Sequence, residues 1–150
     1  MLFLRYLQQA DQAVRNGGTS AGLCGREIRS KKVGIIGCGQ IGFMTAKLFQ
    51  AFGAEVYAYA RHEREEVKAA GIAYKPLDDL LRECDIISLH TPNNKETRGM
   101  ISAEKIALMK KSAIFINCAR GPIVDSKALA QACLLYTSPR PRDRQKSRMP

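Results

Sequence analysis

Apolar residues along the chain follow two periods, and the switches between them mark out its elements. Val33 to Ile36 is a short run rich in β-branched residues, fit for a strand buried on both faces. Behind a glycine-rich turn, Ile41, Met44, Ala46, Leu48 and Phe52 recur at helical spacing. Glu55 to Ala60 predicts a second strand, Glu63 to Ala70 a helix closed by Gly71, and Ile72 to Tyr74 a short third strand. Pro76 at a first helical turn opens Leu77 to Glu83, with Asp78 and Asp79 favourably near its N-terminus. Asp85 to His90 reads as a fourth strand, interrupted by Thr91-Pro92. Ser102 starts a helix carrying Ile106, Leu108 and Met109, Ala113 to Cys118 is a fifth strand, and Asp125 or Ser126 caps a helix through Ala132. Ahead of all these, Phe3, Leu7, Ala10 and Val14 predict an amphipathic helix from Leu2 to Arg15. Asn16-Gly17-Gly18 ends it, and a loop runs from Thr19 to Ser30. Strands alternating with helices across short loops mean a parallel sheet with crossover helices. The expected fold is α/β, a Rossmann-type doubly wound sheet of five strands within the order 3-2-1-4-5-6, with the fifth at an edge.

The turn after the first strand carries the main chemical signal. Gly37-Cys38-Gly39-Gln40-Ile41-Gly42 is a G-x-G-x-x-G between a strand and a helix, the context a dinucleotide fingerprint requires. Gly37 permits the tight turn, Gly39 lets a pyrophosphate approach the backbone, and Gly42 lets the helix pack on the strand. The helix N-terminus offers N–H groups and a positive dipole end to the phosphates, with Gln40 and Ile41 lying against them.

Composition narrows the alternatives. The chain has 150 residues, enough for one domain with a real core. No apolar run approaches the ~20 residues needed to span a membrane, and Arg5 breaks the opening Met1-Leu2-Phe3-Leu4 too early for a secretory signal. Five scattered cysteines (Cys24, Cys38, Cys84, Cys118, Cys133) without a C-x-x-C pair fit a reduced, cytoplasmic compartment better than a disulfide framework. With His62 and His90 the only histidines, no metal site is expected. The net charge of +10 is partly concentrated after Leu134, where five cations face one carboxylate, Asp143. The remainder is spread among acidic residues without a basic stripe, so neither a nucleic-acid nor a membrane partner is expected.

The segment from Cys133 to Pro150 departs from the rest. Three prolines and a dense run of arginines predict disorder. Cys133-Leu134-Leu135-Tyr136-Thr137-Ser138 with Pro139 and Pro141-Arg142-Asp143 also resembles a translated transposase adaptor from sequencing libraries, with Arg140 where the commonest version has serine. The expectation is a non-native tail over 133–150 and a native sequence that continues differently after Ala132.

Read together, the glycine loop, His90-Thr91-Pro92 and Ile116-Asn117-Cys118-Ala119-Arg120-Gly121 resemble the cofactor-binding domain of the D-isomer-specific 2-hydroxyacid dehydrogenases, in particular the phosphoglycerate dehydrogenase group. Further matching segments are Pro76 to Leu81, Asp85 to His90, Glu96 to Gly99, Leu108 to Lys111 and Asp125 to Leu129, so the resemblance runs from about Arg5 to Ala132. It implies an oxidoreductase that passes hydride between NAD(P) and a 2-hydroxy or 2-keto acid, in a homodimeric parent. By resemblance, Arg120 holds the substrate carboxylate and keto oxygen, Thr91 with Pro92 sits beside the nicotinamide ribose, and Cys118 and Ala119 line the nicotinamide pocket. The chemistry suits Arg120: a planar guanidinium binds a carboxylate bidentately and polarises a carbonyl. A plain surface arginine paired with Asp125 or helix carbonyls is the alternative for it, a strand-ending turn for Thr91-Pro92, and an inert core thiol for Cys118.

Two departures from the family pattern matter. NAD-preferring relatives carry an acidic residue at the end of the second strand, where this chain has Ala60 followed by Arg61, His62 and Arg64. Loss of the carboxylate and gain of cations lean towards NADP(H). The family's catalytic histidine and its glutamate partner lie beyond the Arg120 helix, and neither His62 nor His90 matches that position. The domain expectation is therefore a connecting helix over 1–18 from an absent substrate lobe and a truncated dinucleotide-binding domain over 19–132, inactive by itself. The rival class is a non-catalytic nucleotide-sensing or co-repressor protein on the same fold.

Overall fold

The computed structural model describes residues 6–19, 21–23 and 25–136, with side chains through Cys133. Five parallel strands form one sheet in the order β3-β2-β1-β4-β5. They are β1 (Lys32–Ile36), β2 (Glu55–Tyr59), β3 (Ala73–Tyr74), β4 (Ile86–Leu89) and β5 (Ile114–Asn117). The helices are α1 (Leu7–Arg15), α2 (Gln40–Ala51), α3 (Glu65–Ala69), α4 (Leu77–Glu83), α5 (Ala103–Leu108) and α6 (Ser126–Tyr136). This is the expected doubly wound α/β fold, and β5 is an edge among the described strands.

Alternation along the strands divides the core in two. On one face Val33, Ile35, Val56, Ala58 and Ile86 pack with Ala46 of α2 and Val67 of α3. On the other, Ile36, Ile87 and Leu89 pack with Leu80, Leu81 and Cys84 on or just after α4 and with Ile106 of α5. Helices therefore cover both faces of the sheet, which is why β1 and β4 are buried on both sides. Gly34 interrupts the apolar run of β1 because α4 presses directly on it: a β-carbon there would fall 2.3 Å from Leu80 Cδ2.

α2 has the predicted helical period, but of the residues that revealed it only Ala46 faces the core, and the other four mark the outer face. Gly42 and Ala46 are buried, with Phe43 and Phe49 packed beside them, while Ile41, Met44, Leu48 and Phe52 are exposed by 72, 64, 63 and 49%. The small residues Gly42 and Ala46 allow the helix to lie close to the sheet, and Phe43 and Phe49 pack partly buried against the same cluster.

Several boundaries also differ from expectation, with β4 and β5 each one residue shorter at both ends. β2 stops at Tyr59, one residue before Ala60, and α3 begins at Glu65 rather than Glu63. α6 runs through Tyr136, so the backbone of 133–136 is helical where disorder was expected. Leucine is a strong helix former, and no proline or glycine occurs between Ser126 and Tyr136. The rest of the proposed adaptor-like tail, and the expected first turns of the opening helix before Tyr6, lie outside the described residues. A 3₁₀ turn at Gly121–Ile123, unanticipated from the sequence, buries Ile123 completely.

Candidate functional site

The strand register fixes which residues meet. Ile36 is level with Tyr59 on one side and Leu89 on the other, and Leu89 is level with Asn117. The residues that follow each strand, Ala60, Gly37, His90 and Cys118, therefore share the carboxyl edge of the sheet. In open α/β sheets ligands bind at that edge, where the strand order reverses, which here is between β1 and β4.

The three motif glycines meet different surroundings. Gly37 has φ 91°, and a β-carbon on it would lie 2.7 Å from Thr91 N. At Gly42 a β-carbon would lie 2.2 Å from the carbonyl oxygen of Gly37. Gly39 has nothing within 4 Å of its would-be β-carbon. Gly37 and Gly42 are thus glycines because protein fills the space, whereas Gly39 borders open room. Gly39 is also the N-cap of α2 and supplies no side-chain cap, so the first N–H groups of Gln40, Ile41 and Gly42 receive no acceptor from it. Such a cradle fits a pyrophosphate. Between the glycines, Cys38 is buried, and burial pushes its thiol above the usual range against the opposing charge of Arg64.

Across the crevice, His90 N donates to Ile36 O at 2.7 Å and ties β4's end to β1. The imidazole Nε2 lies 2.9 Å from the buried Ser88 hydroxyl, and burial lowers the histidine's pKa. Thr91 Oγ1 is buried and has no hydrogen-bond partner among the described residues. An orphaned hydroxyl beside the glycine turn fits a bound polar ligand that supplies the missing partner. Pro92 is exposed, and its carbonyl accepts from Thr97 Oγ1 at 2.6 Å.

The loop beyond Pro92 is held by two residues that had not been singled out for this role. Asn94 Oδ1 accepts from the backbone N–H groups of Glu96 and Thr97, while Asn94 N donates to Thr97 Oγ1. The Asn-x-x-Thr spacing was the available signal. That loop is joined to the segment after Arg120: Gly99 N donates to Pro122 O, Ile101 N to Ile123 O, and Asp125 N to Ile101 O. The Thr91 side of the site and the Arg120 side are therefore one connected unit.

Cys118 is exposed, with its N–H donating to Leu89 O, and Ala119 N donates to Asn117 Oδ1 at 2.9 Å. Arg120 is exposed, and its guanidinium reaches only the carbonyl of Ala119, at 3.3 Å, among the described residues. Asp125 does not pair with it: its carboxylate accepts from Lys127 N and Ala128 N and caps α6. On the opposite flank, Ala60 is half-buried, Arg61 forms an ion pair with Glu96, and Arg64 pairs with Glu66. Among the described residues no group of three or more histidine, cysteine or carboxylate side chains could hold a metal ion, and no helix is long and apolar enough to cross a membrane.

This geometry agrees with what the chain resembles. The D-isomer specific 2-hydroxyacid dehydrogenase, NAD binding domain family matches residues 1–134. The chain belongs to that family. It is 42% identical over 120 residues to a glyoxylate reductase of Aeropyrum pernix, covering 79% of this chain and 36% of the relative. A D-lactate dehydrogenase of Aquifex aeolicus, solved with NAD and lactic acid, superposes with a TM-score of 0.84 at 38% identity, over 89% of this chain and 41% of that one. An acyclic imino acid reductase solved with NADPH and D-Arg superposes at 0.80 with 32% identity, over 90% and 44%. The chain thus spans less than half the length of each of these relatives.

Proposed function

We propose that this chain is the cofactor-holding part of an oxidoreductase that moves hydride between a nicotinamide dinucleotide and C2 of a 2-hydroxy or 2-keto acid. The observation that carries this reading is the open cradle at Gly39, set on the same sheet edge as the exposed Arg120, which has no carboxylate partner among the described residues. Gly37, Gly39, Gln40, Ile41 and Gly42 hold the pyrophosphate through backbone N–H groups, and Thr91 with Pro92 flanks the nicotinamide ribose. Cys118 and Ala119 form the floor under the nicotinamide. Arg120 grips the substrate carboxylate and polarises the keto oxygen, holding C2 where hydride arrives. The bound nicotinamide supplies the hydride. The accompanying proton comes from a general acid outside this chain, so the chain alone binds cofactor without turnover.

The adenosine flank favours NADP(H). Ala60 leaves no carboxylate to grip a ribose 2′-hydroxyl, and Arg61 offers a cation for a 2′-phosphate. The working protein is a homodimer in a reducing, cytoplasmic compartment, with the exposed apolar stripe of α2 as the association surface.

Gly39→Asp tests the cofactor reading. Aspartate is a better helix N-cap than glycine and meets open space here, so stability should hold or rise by up to ~1 kcal/mol. The added carboxylate occupies the phosphate cradle, so NADPH and NADH titrations should show binding lost. A variant that folds and still binds either cofactor normally removes the reading.

A further inference from the structure

The loops after β2 and β4 flank the glycine turn after β1, because β1 lies between those strands. Arg61 follows β2, and Glu96 sits in the loop after β4. Their ion pair therefore crosses the crevice on the side where the adenosine half of a dinucleotide would lie. Both side chains are more than half exposed, at 58 and 62%, so neither is fixed by burial. What fixes Glu96 is its backbone. Its N–H donates to Asn94 Oδ1 at 3.0 Å, inside the Asn94–Thr97 network that anchors the loop to Pro92. The carboxylate is thus presented from a rigid turn, while Arg61 reaches to it from a flexible side chain.

A carboxylate and a phosphate monoester compete for the same guanidinium, since both are planar-edge or tetrahedral anions that arginine binds through paired N–H donors. We propose that Glu96 is a specificity-determining residue: it occupies Arg61 as an internal substitute for the ribose 2′-phosphate, and so sets how strongly this site discriminates between phosphorylated and unphosphorylated adenosine. This rests on the reading of Arg61 as the 2′-phosphate partner. An exposed pair is weak and yields to a stronger anion, so Glu96 moderates the preference rather than abolishing it. Its residual charge also repels an incoming phosphate, a penalty that falls only on the 2′-phosphorylated ligand.

The test titrates the chain with adenosine 2′,5′-bisphosphate and with 5′-AMP, which differ only in the 2′-phosphate, following amide chemical shifts. Glu96→Gln should tighten the bisphosphate about threefold to tenfold and leave 5′-AMP within twofold. Arg61→Ala should weaken the bisphosphate, and Glu96→Gln added to Arg61→Ala should then gain less than twofold. Circular dichroism of each variant checks that the fold is kept, as expected for exposed positions. If Arg61→Ala weakens the bisphosphate but Glu96→Gln leaves it unchanged, the role of Glu96 is overturned and the role of Arg61 stands. If Arg61→Ala changes nothing, the underlying assignment of Arg61 fails, and this inference fails with it.

Discussion

Gly37 and Thr91 stand so close that a β-carbon on the glycine would fall 2.7 Å from the threonine's backbone nitrogen and 2.8 Å from its methyl group. The contact joins the end of β1 to the end of β4, the two strands between which the sheet order reverses. With φ at 91°, an alanine at this position would be strained even in empty space. Gly37→Ala should therefore destabilise the chain by about 2–4 kcal/mol and displace Thr91. Urea unfolding gives the first quantity. Unchanged stability would mean that the turn relaxes freely and is no rigid part of the site.

Arg120 invites the opposite outcome. Its only hydrogen bond among the described residues is to the neighbouring carbonyl, and Asp125 is committed to capping α6. Arg120→Ala should leave the melting temperature of this chain within ~0.5 kcal/mol equivalent. In a full-length dehydrogenase carrying this domain it should lower kcat/KM by about 2–4 kcal/mol equivalent with cofactor affinity unchanged. Near-normal turnover would return Arg120 to an ordinary surface role.

Much of this site was legible because its parts are local. A strand, a glycine turn and a helix are contiguous, and parallel strands bring the following residues to one edge whatever the side chains do. What escaped the sequence depends on contacts between distant segments. The Gly121–Ile123 turn is too short to show a period, yet it buries Ile123 and pairs Ile101 with Val124. The Arg61–Glu96 pair joins two loops with no sequence signal linking them. For α2 the period was legible but not the buried face, because apolar periodicity names that face only when the other face is polar.

The adenosine flank yields a prediction for an added charge. Placing a carboxylate at the end of β2 would repel a 2′-phosphate and hydrogen-bond a ribose hydroxyl. Ala60→Asp should swing the binding preference from NADPH to NADH by about tenfold or more, measured by fluorescence titration of both cofactors. The unmodified chain binding NADH as well as NADPH would remove the lean towards NADP(H).

Asp85 carries a pH dependence. Burial raises its pKa, but Lys110 Nζ at 2.9 Å, the N–H of Lys32 at 3.1 Å and the charges of Lys110 and Lys31 outweigh this, so the folded pKa lies below the usual carboxylate value. A depressed folded pKa means that stabilisation is complete above the unfolded value of ~3.9 and is lost as pH falls through the folded one. Asp85→Ala should cost about 1–3 kcal/mol at pH 7, typical of hydrogen bonds to a charged group. The difference from the unmodified chain should shrink below pH 4 in denaturant titrations. An equal difference at pH 7 and pH 2 would show that the charge contributes nothing.

The last prediction concerns the outer face of α2. Ile41, Met44 and Leu48 of α2 and its C-cap residue Phe52 lie along one side and are all at least 49% exposed. Scattered exposed apolar side chains are ordinary, but four in a continuous stripe form the kind of patch that another surface covers. The exposed Leu7 and Val14 of α1 add to the uncovered apolar area, and β5 is a sheet edge among the described strands. Light scattering should therefore show a mass that rises with protein concentration. Because Met44 and Leu48 contribute little to the core, Met44→Glu with Leu48→Glu should abolish that rise without lowering the melting temperature. If association persists in the double variant, the β5 edge or α1 is responsible and the α2 stripe is not. A chain that stays monomeric at every concentration tested would show that these exposed residues are tolerated as plain surface.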